Sequence, residues 1–150
     1  MTEWQDKATI DYFLDDCETW AVVGLSGDPW RTAYSIAEEL QQHGKRIVPI
    51  HPKAAEGELE VLGQKAYATL AEAAEAVGPI DVVDVFRRSE AAGEFADQAV
   101  EIGAKGVWFQ MGVVDEAAFD RTTAAGLKMV MDTCPSKEWF YRAKAAKNAD

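Results

Sequence analysis

Two histidines, two cysteines and a few bases that follow apolar runs are the groups here with chemistry to offer. His43 and His51 are the side chains of the type that could shuttle protons at neutral pH. His43 stands beside Gly44 at the end of a helical pattern, where a solvated capping role accounts for it. His51 is better placed but has no evident partner. Cys17 and Cys134 are far apart and in no Cys-x-x-Cys pairing, so neither a disulfide framework nor a zinc module can be read. A Cys134–His51 couple across a crevice is conceivable, yet the sequence supplies no distance between them. Asp15-Asp16 and Glu38-Glu39 fall on helical faces expected to meet water, and Asp81 and Asp84 frame an apolar run. None converges as a glycosidase pair or metal cluster would. The reading points away from an enzyme.

Bases and glycines recur just after short apolar runs. Trp20-Ala21-Val22-Val23-Gly24-Leu25 leads through Ser26-Gly27-Asp28-Pro29-Trp30-Arg31-Thr32 into a helical pattern. Free amides and the positive helix end favour a phosphate there, although an ordinary glycine turn would look the same. It is not the dinucleotide fingerprint, which needs glycine where Ser26 and Pro29 stand, and the second run ends in His51 instead of a ribose-binding acid. No Gly-Lys-Ser/Thr follows, and Asp28 spoils a Gly-x-Ser-x-Gly elbow.

After the second run, Pro52 stiffens the exit and Lys53 offers a charge to a phosphate or simply to water. The third exits through Val85-Phe86-Arg87-Arg88-Ser89. Phe86 could face an adenine while Arg87 or Arg88 meets an anion; the plainer alternative is a core Phe86 with both arginines paired to acids such as Glu90. The fourth gives Trp108-Phe109-Gln110-Met111-Gly112-Val113, where Gln110 could bond a ligand amide or brace the backbone. The fifth ends at Asp132-Thr133-Cys134-Pro135-Ser136, putting one thiol at the same edge, where it could equally be a small buried apolar group.

Placing these loops together requires strands. Nearly continuous β-branched runs occur at 20–25, 46–50, 81–86, 106–109 and 128–131, and amphipathic patterns at 31–43, 69–77, 89–102 and 115–125. Gly44, Gly78, Gly103 and Gly126 follow the helical patterns where a left-handed residue is wanted, and Thr69, Ser89 and Asp115 sit at expected N-caps. Strand–helix alternation implies right-handed crossovers between parallel strands buried on both faces. The expected fold is α/β: a single Rossmann-like doubly wound domain with a mainly parallel five-stranded sheet and helices on both faces. In such a sheet the loops after the strands share one ligand-binding edge.

Of 150 residues, 48% are hydrophobic and 27% charged, which suits one domain, 1–150, with its core at about 10–140 and short terminal helices. Twenty-six acids against 15 bases give a net charge of −11, which opposes nucleic acid as the main partner. The acidic amino terminus and the lack of any apolar run near roughly 18 residues argue against export and membrane insertion. A reducing cytoplasm is the expected location.

Taken in order, the loops resemble the CoA-binding proteins of bacteria and archaea, similar to the amino-terminal domain of the succinyl-CoA synthetase alpha subunit. The resemblance covers about residues 10–140 and rests on Val23-Gly24-Leu25-Ser26 with Pro29 and Arg31, Ile47-Val48-Pro49-Ile50-His51-Pro52, Asp81 to Arg88, Trp108 to Val113, and Cys134-Pro135. It implies that the Ser26 loop and helix N-terminus hold a pyrophosphate, that Lys53 or a neighbouring base approaches the 3′-phosphate, and that Val85, Phe86 and Arg87 line the adenosine or pantetheine path. Gln110, Gly112 and Cys134 would lie toward the thiol end. Two departures stand out: His51 replaces the family's usual asparagine, and Asp28 places an acid near the phosphates, as a cap or as a weakening charge.

The expectation is therefore a non-catalytic binder of CoA or acyl-CoA acting as carrier, sensor or regulatory module. One alternative is an enzyme using a dinucleotide such as NAD. Another is a protein-interaction module with a vestigial site, in which Trp4, Trp139, Phe140 and Tyr141 pack on a partner or in a homodimer.

Overall fold

The computed structural model describes residues 3–149. Branched and aromatic side chains suit a pleated surface covered on both sides, and the alanine-rich amphipathic stretches between them form helices. In chain order the elements are α1 (Lys7–Asp16), β1 (Thr19–Val23), α2 (Thr32–Gln42), β2 (Arg46–Ile50), β3 (Glu60–Val61), β4 (Gln64–Lys65), α3 (Leu70–Val77), β5 (Val82–Val85), α4 (Ser89–Glu101), β6 (Gly106–Phe109), α5 (Glu116–Ala124), β7 (Lys128–Val130) and α6 (Pro135–Ala149).

Strands β2, β1, β5, β6 and β7 lie side by side in that order, every pair parallel. The chain moves outward from β1 to β2 and returns on the other side as β5, so the order reverses between β1 and β5. This is the doubly wound sheet that the alternation of strand and helix implies, and ligands in such sheets bind outside the carboxyl ends at that reversal.

Alternate strand residues serve opposite faces. Ala21, Val23, Val83, Val85 and Phe109 pack with α3, α4 and α5, while Trp20, Val22, Trp108 and Val130 pack with α1 and α2. At Gly106 a Cβ would come within 2.3 Å of the Phe13 ring, so only glycine lets α1 lie this near β6. Among the described residues no helix is long and apolar enough to cross a membrane.

Two features differ from expectation. The carboxyl-terminal helix is not short: α6 runs 15 residues. Strands β3 and β4 form a small antiparallel hairpin that the sequence pattern does not announce. Each strand is two residues long, and the turn puts Leu62 and Gly63 at φ 52° and 77° where Asn-Gly is the usual signal. Just beyond it, the Tyr67 N–H donates to Pro49 O at 2.9 Å and the His51 N–H to Tyr67 O at 3.0 Å, covering the outer edge of β2.

Candidate functional site

Gly24 follows β1 and ties three strand exits together. Its N–H donates to Ile50 O at 2.9 Å, and the Phe86 N–H donates to Val23 O at 2.9 Å. Its φ is +99°, and a Cβ would stand 2.7 Å from the Phe86 carbonyl oxygen, so only glycine permits this approach where the strand order reverses.

Two clefts meet at this point and share Gly24, Arg31 and Phe86. The larger, about 610 Å³, lies between the Trp30–Arg31 loop and Gln110 and Gly112, with Cys134 on its wall. The smaller, about 350 Å³, lies toward β2 between Ser26, His51, Pro52 and Arg87. Both are of the size that takes small molecules. A separate groove of about 580 Å³ between α1 and α6 shares no lining residue with these two.

The structure thus brings together Gly24, Ser26, Arg31, Pro52, Phe86, Arg87, Gln110, Gly112 and Cys134. It does not bring the other three with them as side chains. Leu25 and Val85 are buried in the core at 1% and 0% exposure, leaving only backbone for a ligand. Lys53 lines neither cleft: its N–H donates to His51 Nδ1 at 3.1 Å and its side chain is exposed.

Helix caps divide the same way. Asp6, Thr69 and Asp115 each accept a backbone N–H at the starts of α1, α3 and α5. Helices α2 and α4, which follow the two strands at the reversal, begin after Arg31 and Arg88 with no side-chain cap among the described residues. Their first N–H groups therefore remain available to an anion. Ser89 is not the N-cap that its position suggests. Its hydroxyl accepts from the Val114 N–H at 3.0 Å and donates to Gly112 O at 3.3 Å, because the β6–α5 loop passes close enough to claim it. Asp28 accepts from the Trp30 N–H at 3.0 Å, so it stabilises its own turn instead of capping α2.

Positive charge gathers at the smaller cleft of an acidic protein. Burial lowers the His51 pKa, and Lys53, Arg87 and Arg31 lower it further against the opposing pull of Glu56; of these bases, Arg31 and Arg87 line the cleft. The two arginines after β5 part company. Arg88 pairs with Glu90 at 3.6 Å in solvent, whereas Arg87 turns over the Phe95 ring at 5.5 Å and lines the cleft.

Beneath the larger cleft, the Gln110 side chain does not brace the backbone: its Nε2 donates to Asp84 Oδ1. Asp84 is fully buried on β5, and burial pushes its pKa up to about 8 against the opposing pull of Gln110. Asp84 Oδ2 and Gln110 Oε1 have no partner among the described residues. The adjoining loops are latched by Asp132, held at φ 62°, whose Oδ1 accepts from the Gly112 N–H at 2.8 Å. Cys134 Sγ accepts from the Lys137 N–H at 3.4 Å at the start of α6, and burial pushes its thiol up. Cys134 and His51 line different clefts, and their side chains meet the Lys137 and Lys53 N–H groups respectively, not each other.

The sequence does not single out Asp132 or Trp30 as site residues, and it shows Asp84 only as framing an apolar run. For Asp84 the signal was a carboxylate inside a continuous apolar strand; for Trp30, an aromatic beside a proline turn. Trp30 is 93% exposed at the mouth of the larger cleft. Among the terminal aromatics, Trp4 and Trp139 pack against their own core, Trp139 stacking on His43 at 3.6 Å, while Phe140 and Tyr141 remain exposed. Among the described residues no group of three or more His, Cys, Asp or Glu could hold a metal ion.

Sheet and clefts together define an α/β domain with two joined clefts at its order reversal. A family model described as a CoA binding domain matches residues 18–139, and the chain belongs to that family. It is 38% identical over 128 residues to the uncharacterized protein YneT of Bacillus subtilis (strain 168), an alignment covering 85% of this chain and 90% of the relative. A solved structure of a hypothetical protein from Pyrococcus horikoshii OT3 superposes with a TM-score of 0.78 at 32% identity, over 92% of this chain and 89% of the other. The structure of cell-free ID.343 from Thermus thermophilus gives 0.76 at 26% identity, over 94% and 98%.

Proposed function

We propose that the chain binds CoA or an acyl-CoA across the two joined clefts, as a non-catalytic carrier, sensor or regulatory module. The observation that carries this reading is the α2 start without a side-chain cap, which lines the larger cleft beside Gly24, together with Arg31 and Arg87, which line the adjoining one. CoA carries several negative charges, and amide dipoles with close bases in a partly desolvated crevice favour such a ligand. The Ser26 loop and the α2 N-terminus would hold the pyrophosphate, and Lys53 the 3′-phosphate. The pantetheine arm would run along the larger cleft toward Cys134. The protein's charge of −11 would mainly slow the encounter.

A calorimetric titration with CoA, 3′-dephospho-CoA and NAD in one buffer tests the reading, after checking that no ligand copurifies. Clear preference for CoA is expected, and NAD binding as tightly would favour the dinucleotide enzyme. Exposed Phe140 and Tyr141 keep an interaction role in play, and a strict monomer by light scattering would exclude a homodimer through that surface.

A further inference from the structure

Asp84 lies between Val22 of β1 and Trp108 of β6, with its side chain completely buried. A buried polar atom without a partner is costly and asks for an explanation. Here two such atoms, Asp84 Oδ2 and Gln110 Oε1, belong to one hydrogen-bonded pair, and Gln110 lines the larger cleft. A hydrophobic side chain at position 84 would have spared the core this burden, so the pair points to a use at the cleft floor.

Resting on the CoA reading, we propose that Asp84 is a positioning residue that fixes the Gln110 amide from beneath the cleft, in the orientation that meets an amide of the pantetheine arm. A primary amide offers a ligand amide both a donor and an acceptor. With its pKa pushed to about 8, Asp84 is a neutral acid at neutral pH. One carboxyl oxygen then accepts from Gln110 Nε2 while the other carries a proton to donate. Ionisation leaves a charge in the core that draws the Gln110 amide more strongly onto Asp84 and away from the cleft, so the grip on the arm weakens as pH passes about 8. Cys134, just before α6, is a titratable group that feels Asp84, and Val22 and Trp108 on the flanking strands carry no charge.

The test is calorimetry of the wild-type, Asp84→Asn and Gln110→Leu chains at pH about 7 and about 9, on either side of the Asp84 value. The probes are CoA and its nucleotide half, adenosine 3′-phosphate 5′-diphosphate, which lacks the pantetheine arm. Asparagine supplies an acceptor and a donor at every pH, as the neutral acid does. Wild-type affinity for CoA should fall roughly tenfold between the two conditions, the factor that corresponds to about 1.4 kcal/mol. Asp84→Asn should hold its affinity at both, and Gln110→Leu should bind CoA more weakly at both. All three chains should bind the nucleotide half alike. If wild type and Asp84→Asn share one pH profile, or the nucleotide half suffers the same losses, the positioning role is overturned while CoA binding stands. Failure of the wild-type chain to bind CoA overturns the CoA reading and this role with it.

Discussion

Asp81 and Asp84 stand at the two ends of the same central strand, and their surroundings are opposite. Asp81, just before β5, accepts from the Glu18 and Thr19 N–H groups at 3.0 Å each and pairs with Lys105 at 3.3 Å. Burial opposes its charge, but those donors outweigh it and hold the pKa below the usual carboxylate value. Asp84 has Gln110 alone and is pushed up to about 8. The same division runs through the sheet. Its amino end is closed by its own hydrogen bonds, whereas its carboxyl end keeps two helix starts without side-chain caps, an orphaned amide–acid pair and a strained Asp132. Among the described residues the buried side-chain atoms without a partner are this pair and Thr122 Oγ1 of α5, and the pair is the one beneath a cleft, as a site completed from outside requires.

The two aspartates should respond to pH with opposite signs. The folded chain holds the Asp84 proton between pH 3.8 and about 8 while the unfolded chain has lost it, so stability falls as pH rises through that window. Asp84→Asn removes the penalty and should stabilise the protein increasingly over that range, by at most roughly 1.4 kcal/mol per pH unit. Asp81→Asn should instead destabilise it by about 1–3 kcal/mol near neutrality. That gap should close as pH drops through the lowered Asp81 pKa, below the ordinary 3.8. Urea melts across pH read both, and effects of the same sign would erase the contrast.

Glycine substitutions sharpen the comparison at nearly the same cost. Gly106→Ala drives a methyl into Phe13 and the Lys128 carbonyl oxygen, and Gly24→Ala into the Phe86 carbonyl oxygen at a positive φ. Each should cost about 2–4 kcal/mol in chemical denaturation. Gly106→Ala should leave CoA affinity unchanged in the folded protein, whereas Gly24→Ala should lower it. Equal losses of affinity would detach the site from the strand reversal.

The main sheet was legible because five β-branched runs alternate with glycine-terminated helical patterns, and that alternation admits few topologies. Most of the site followed, since a doubly wound sheet brings the loops holding Gly24, Arg31, Arg87, Gln110 and Cys134 to one edge. What stayed hidden depends on three-dimensional neighbours. Nothing in Arg87-Arg88 says which arginine turns inward; Phe95 decides it. Asp84 reads as a carboxylate framing a strand until both faces of that strand are seen to be covered, and Ser89 reads as a cap until Val114 comes within 3.0 Å.

Smaller effects separate neighbouring bases. Arg87→Ala should weaken CoA binding by about 1–3 kcal/mol and flatten its salt dependence. Arg88→Ala, which removes a solvated pair with Glu90, should change it by less than about 0.5 kcal/mol. Affinity measured over a salt series checks both, and equal losses would mean that the cleft does not distinguish them. Lys53→Ala should have the least effect, about 1 kcal/mol or below for CoA and none for 3′-dephospho-CoA. Matching losses with the two ligands would remove Lys53 from the 3′-phosphate.

The most direct measurement is a map of backbone amide NMR shifts on titration with CoA. Shifts are expected at Ser26, Thr32 and Ala33 of the α2 start, at Ser89 of the α4 start and at Gly112, with Glu18, Thr19 and Gly106 at the opposite end unmoved. Shifts centred on Glu18 and Thr19, or along the groove between α1 and α6, would contradict a CoA site at the carboxyl end of the sheet.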